Sequence, residues 1–108
     1  MSSENHLIVI LCSAPDKAAA EKLARGLIEE RLAACVNIVP RVRSIYRWKD
    51  AVADDPETLM VIKAPAARVP DLARRLGELH PYEVPELLVF EPHSGLAPYL
   101  AWAASAGL

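Results

Sequence analysis

Branched apolar residues run without interruption from Leu7 to Leu11, as in a short strand buried on both faces. Ser13-Ala-Pro-Asp16 breaks the run with two capping residues and a proline suited to a first helical turn. Ala20, Leu23, Ala24, Leu27 and Ile28 then recur at i, i+3, i+4 spacing, which predicts an amphipathic helix over roughly 15–32. From Cys35 to Trp48 the chain alternates, with Val42, Ser44, Tyr46 and Trp48 on one face and Arg43, Ile45 and Arg47 on the other. Pro40 within it requires an edge or a bulge. Lys49–Pro56 reads as a polar turn and Glu57–Lys63 as the returning strand, so the first arm of this hairpin is long for a globular strand. An edge of that length calls for a second chain to cover it.

A second helix is expected over about 66–79, carried by Val69, Leu72, Ala73 and Leu76. His80-Pro81 ends it, because the residue before a proline avoids helical backbone angles. Val84–Glu91 is expected as the last strand, and Pro98 opens a terminal helix holding Tyr99, Leu100, Trp102 and Ala103. The order βαββαβ plus one helix is that of an α+β ferredoxin-like sandwich, with an antiparallel sheet of order 4-1-3-2 and helices on one face.

Composition narrows the function. The chain has 108 residues, enough for one domain, and its 53% hydrophobic share against 24% charged residues is that of a folding sequence. A net charge of -2 supplies no field for concentrating a polyanion, so nucleic-acid binding is not expected. The strands expected at the sheet centre also carry no aromatic on which a base would stack. The early apolar run is too short for a membrane span or a secretory core, and Met1–Glu4 lacks a basic start, so a cytoplasmic location is expected. The four glycines are scattered, which excludes the GxGxxG and GxxxxGK phosphate loops. No nucleophile has a recognisable activating partner, and Ser13-Ala-Pro-Asp16 lacks the arginine that an acylphosphatase-like site needs. The chain is therefore not read as an enzyme.

The expected topology brings the end of the first strand beside the start of the last, and makes Cys12 and Glu86 neighbours. It also delivers His80 and Pro81-Tyr82 to the same corner. Thiolate and imidazole are favoured ligands for copper and zinc, so Cys12, His80 and Glu86 form a candidate metal site. The alternative reading has Cys12 as a small buried hydrophobe, His80 as a helix-terminal residue and Glu86 as a partner for an arginine. Cys35 falls at the opposite end of the sheet, roughly 17–20 Å from Cys12 on a strand of ordinary length. A disulfide within the chain is thus not expected, and core packing is the reading for Cys35. Tyr46, Arg47, Trp48 and Lys49 gather aromatic and cationic groups that suit a ligand or a neighbouring subunit. Asp54, Asp55 and Glu57 are expected in a solvated loop, and Arg68, Arg74 and Arg75 on a solvated helix face.

Taken together, Ser13-Ala-Pro-Asp, Glu30-Arg-Leu-Ala-Ala-Cys-Val-Asn-Ile-Val-Pro40, Ser44-Ile-Tyr-Arg-Trp-Lys49, Glu57 with Val61-Ile-Lys63, His80-Pro-Tyr-Glu-Val-Pro-Glu86 and Tyr99-Leu-Ala-Trp102 closely resemble the CutA divalent-cation tolerance family. The resemblance covers nearly the whole chain. It implies a homotrimer in which long hairpins pair with neighbouring chains, and a role in tolerance of copper, as Cu(I) or Cu(II), and other divalent metal ions. Cys12 and His80 match positions proposed in that family as copper ligands, with Glu86 a further candidate. Leu79 stands where some relatives carry a second histidine. The trimer implied also resembles the PII signalling proteins. That likeness supplies a competing expectation, a sensor of a small anion or partner protein at subunit clefts lined by Arg47, Lys49 and Lys63, with Tyr82 nearby.

Overall fold

The computed structural model describes residues 6–107, so Met1–Glu4 lies outside the described residues. Its elements are β1 (Leu7–Ala14), α1 (Lys17–Glu29), β2 (Cys35–Trp48), β3 (Ala51–Pro65), α2 (Val69–Leu79), β4 (Leu88–Phe90) and α3 (Ala97–Ala104), with a 3-10 turn at Ala66–Arg68 leading into α2. All neighbouring strands are antiparallel and lie in the order β2-β3-β1-β4. This is the expected α+β arrangement, read from the other edge of the sheet.

The core follows from strand alternation. Ile8, Ile10, Cys12 and Ala14 of β1, with Met60, Ile62 and Ala64 of β3, are buried in one cluster with Ala20, Leu23 and Leu27 of α1 and Leu72 and Leu76 of α2. The intervening residues Val9, Leu11 and Ser13 stay partly exposed because successive side chains leave a strand on opposite faces. Helix α1 starts where Asp16 accepts a hydrogen bond from the Ala19 amide at 2.8 Å, and it ends just before Arg31, whose φ is 60°. The interval 15–32 expected for this helix is therefore trimmed at both ends. Across the two helices, Arg75 Nε lies 3.0 Å from both carboxylate oxygens of Glu30. The pair is partly exposed and contributes little to stability.

The largest departure from expectation is in the hairpin. Lys49 and Asp50 have φ of 49° and 64°, which fits the two-residue turn whose twist matches paired strands. Ala51–Pro56, expected as turn, is strand, with pairs running from Trp48↔Ala51 to Arg43↔Pro56. Cross-strand contacts offset the weak strand preference of aspartate. Arg43 donates to both oxygens of Asp54, at 2.8 and 2.6 Å, and the Tyr46 hydroxyl donates to Asp55 at 2.6 Å. The acidic trio thus lies on a strand, not in a loop. Pro40 does fall at a bulge on an edge strand, since the register shifts between Val39 and Val42.

The last strand is shorter than expected. Only Leu88–Phe90 pairs with β1, and residues 84–87 leave the ladder around Pro85, which has no amide proton to donate.

Leu72→Ala, at a fully buried position, should lower unfolding free energy by about 2–5 kcal/mol. Asp50→Gly should raise it by less than about 1 kcal/mol, because glycine relieves a positive φ. Urea unfolding at fixed protomer concentration reads both.

Candidate functional site

The end of β1, the end of α2 and the root of the hairpin meet at one corner. His80 terminates α2 with its amide donating to Leu76 O at 2.9 Å, and its extended backbone, at ψ 135°, is what Pro81 demands. That geometry turns the ring inward, where it is buried. Nδ1 accepts from the Tyr82 amide at 3.0 Å, so the ring proton sits on Nε2 and is donated to the Ser13 carbonyl at 2.8 Å. The Tyr82 ring packs 4.9 Å from His80, centroid to centroid, and the Tyr82 hydroxyl donates to Glu57 Oε2 at 2.5 Å. Burial and the Glu57 carboxylate both push the Tyr82 phenol upward, so it stays a donor.

Glu86 reaches β1 through Ser13, whose hydroxyl donates to Glu86 Oε1 at 2.8 Å. The β1–β4 pairs Leu11↔Leu88 and Ile10↔Val89 bring the residues just before β4 alongside Ser13. Cys12, one residue earlier, faces the helices and is fully buried. Burial, followed by the charges of Glu86 and Glu57, pushes its thiol from an ordinary 9.0 up to about 12.

Copper prefers a thiolate or an imidazole lone pair. Here the thiol is buried among the helices, and both ring nitrogens of His80 are engaged by backbone groups. Among the described residues no three His, Cys, Asp or Glu side chains are grouped to hold a metal ion. Cys12, His80 and Glu86 do occupy one corner, but as arranged they do not fit a resident copper ion.

In front of this frame lies an open cavity of ≈ 400 Å³. Tyr46, Trp48 and Tyr82 supply its aromatic walls, and Glu57, Glu83 and Glu86 its carboxylates, with Ser13 and Val84 completing the lining. Among the described residues no lysine or arginine lines it. Arg47 lies one residue from Tyr46 and Trp48 on an alternating strand and so takes the other face of β2. Lys49 sits in the turn, its ammonium 5.9 Å from the centroid of the Trp48 ring. Lys63 pairs with Cys35 at the far end of the ladder and donates to Asn37. Within one chain the three cations expected to share a cleft are therefore apart.

Sequence reasoning picked out Tyr46, Trp48, Tyr82 and Glu86, assigned Glu57 to a solvated acidic loop, and gave Glu83 and Ser13 no part in the site. Recognising Lys49-Asp50 as the turn would have placed Glu57 on the Tyr46 face, because Val42↔Glu57 and Tyr46↔Ala53 are then cross-strand pairs.

A four-stranded antiparallel sheet backed by two helices, with an acidic, aromatic corner, defines a small α+β protein of the ferredoxin-like class. The CutA1 divalent ion tolerance protein family matches residues 8–106, and the chain belongs to it. A divalent-cation tolerance protein CutA of Thermus thermophilus is 45% identical over 94 residues, covering 87% of this chain and 91% of the relative. Mouse protein CutA is 43% identical over 88 residues, covering 82% of this chain, which spans only 50% of the mouse protein's length. The crystal structure of CutA1 from Oryza sativa superimposes with a TM-score of 0.91 at 36% identity, covering 97% of this chain and 96% of that one.

Raising the Cys12 pKa has a definite pH signature. The folded thiol keeps its proton while the unfolded thiol loses it, so the contribution to stability is complete below pH 9.0 and declines as pH rises toward about 12. Wild type should lose stability more steeply than Cys12→Ala in that window, measured by urea unfolding. At pH 8 a thiol reagent should modify the partly exposed Cys35 well before Cys12. His80→Ala strands the Ser13 carbonyl and the Tyr82 amide, and should cost about 1–3 kcal/mol for each group left unsatisfied.

Proposed function

We propose that the protein serves tolerance of divalent cations as a homotrimer, binding exchangeable cations, copper among them, at the acidic corner without catalysing a reaction. The observation that carries this reading is that Glu57, Glu83 and Glu86 all line one open cavity with no basic residue in its lining among the described residues. Carboxylate oxygens take hard and borderline divalent ions, and because these three are not grouped as a ready ligand set, an ion here is held loosely and exchanges. Glu86 is then the contact with the ion, and Cys12 and His80 are the frame that holds Ser13, Tyr82 and hence the carboxylates in place. A small anion would meet repulsion here, which sets this cavity against the PII-like reading.

Self-association is supported by what one chain leaves uncovered. The hairpin arms run to 14 and 15 residues, and Ile45, Tyr46, Trp48 and Val52 are exposed along them. At the other edge of the sheet, Leu88, Val89 and Phe90 are about half exposed. Exposed apolar strand edges of this kind call for another chain. We further assign the protein to one domain acting in the cytoplasm, in keeping with its two free cysteines. No described helix is long and apolar enough to cross a membrane.

Calorimetric titration with Cu(II) should show Glu86→Gln weakening binding about tenfold, while Cys12→Ala changes it less than about twofold. Loss in Cys12→Ala with Glu86→Gln unaffected would move the metal to the thiol and overturn this assignment. Sedimentation of Trp48→Ala should show a smaller assembly from a chain that still folds. An intact trimer would remove the hairpin tip from the interface.

A further inference from the structure

We propose that the acidic corner of one chain receives the outer face of a neighbouring chain's hairpin, with Arg47 of that neighbour seated against Glu83. The contact rests on the homotrimer reading and deepens it by naming the two surfaces that meet. It also gives the cavity an occupant in the assembly, where the hairpin that carries Tyr46 and Trp48 lies between subunits.

The two faces of the hairpin carry different chemistry. Val42, Ser44, Tyr46 and Trp48 share the face of Glu57, and Tyr46 and Trp48 wall the cavity of their own chain. Ile45 and Arg47 leave the strand on the opposite side, with Val52 directly across from Arg47. Ile45 is 64% and Val52 68% exposed, and Arg47 is exposed beside them. Arg43 on this face is held by Asp54, whereas Arg47 has no ion pair among the described residues. Of the other hairpin cations, Lys49 stands over Trp48 of its own chain and Arg41 lies back at the bulge. Arg47 faces away from its own cavity, so a carboxylate partner there belongs to another chain.

The corner is the complement. Glu57 and Glu86 accept hydrogen bonds from Tyr82 and Ser13, while Glu83 accepts none among the described residues and is exposed next to Val84, itself 68% exposed. An arginine with apolar neighbours meets here a carboxylate, aromatic faces and an apolar side chain together. Glu86, held by Ser13, remains for an ion. Because the two surfaces differ, they join head to tail. Each chain offers its arm to the next and its corner to the one before, a contact that closes into a ring such as a homotrimer, whereas a two-fold dimer brings like patches together.

The test uses the full chain as it assembles. Arg47→Lys keeps the charge, and a zero-length carbodiimide should then join position 47 to Glu83 in a species that runs as more than one chain on a denaturing gel. The joined peptide should vanish in Arg47→Lys/Glu83→Gln. Sedimentation velocity follows, at a urea concentration that leaves the wild-type assembly half dissociated. Arg47→Glu and Glu83→Arg should each raise the apparent dissociation constant about tenfold or more, because like charges then meet at the contact. The charge-exchanged chain Arg47→Glu/Glu83→Arg should return it to within about threefold of wild type. Both positions are exposed, and circular dichroism checks that each variant folds. Weakening that merely adds in the exchanged chain, or a carbodiimide link from position 47 to other carboxylates and none to Glu83, would overturn the contact. An assembly indifferent to Arg47→Glu would overturn it too and leave the homotrimer standing. Wild type sedimenting as a single chain without urea would sink the homotrimer itself, and this contact with it.

Discussion

Eight consecutive antiparallel pairs between β1 and β3, from Leu7↔Pro65 to Ala14↔Thr58, are the constraint on which the rest depends. This register sends Ile10, Cys12, Met60 and Ile62 toward the helices, where each is fully buried, and leaves Ser13 on the opposite face. Slipping one strand by one residue would turn its whole side-chain set over, burying Ser13 and exposing Cys12. The assignment of Cys12 to the core and Ser13 to the cavity is therefore a consequence of packing, whatever chemistry the thiol might otherwise offer.

The corner is held by groups that have little left to give to a ligand. Ser13 is used twice, its carbonyl receiving His80 and its hydroxyl binding Glu86. His80 joins β1 to the turn after α2, and Tyr82 carries the linkage on to Glu57 of β3. This partly buried polar chain is stable because each member is satisfied, and breaking a link at the buried His80 leaves its backbone partners short of a hydrogen bond. What faces outward is the reverse side of this frame: three carboxylates and three aromatic rings around an open space.

The hairpin obeys a different balance. Beyond Thr58, β3 has only β2 beside it, and its outer half is held by backbone pairing and by the Arg43–Asp54 and Tyr46–Asp55 contacts. Hydrogen bonding to Asp54 favours the Arg43 charge, and the same bond holds the Asp54 carboxyl below its ordinary value. Because these groups are exposed, the ladder gains more in register than in strength from them. The arm gives the molecule its length, with principal extents of 47 × 27 × 22 Å, and carries Tyr46 and Trp48 out to the cavity they line.

Much of this was legible in the order of residues alone. Element order, the end of α2 at His80-Pro81 and the bulge at Pro40 follow from apolar periodicity and proline stereochemistry, which act within a few residues, while the sheet order and the meeting of Cys12, His80 and Glu86 at one corner follow from the topology that this element order implies. Three features were decided only by the tertiary structure. Asp54, Asp55 and Pro56 have poor strand preference, so their place in β3 depends on partners across the ladder. Whether Cys12 or Ser13 meets Glu86 depends on strand register, and a shift of one residue reverses the answer. The state of His80 depends on the Ser13 carbonyl and the Tyr82 amide, and the first of these is 67 residues away along the chain. Local sequence determines which groups arrive at the corner; their lone pairs and protons are assigned by backbone that only folding brings there.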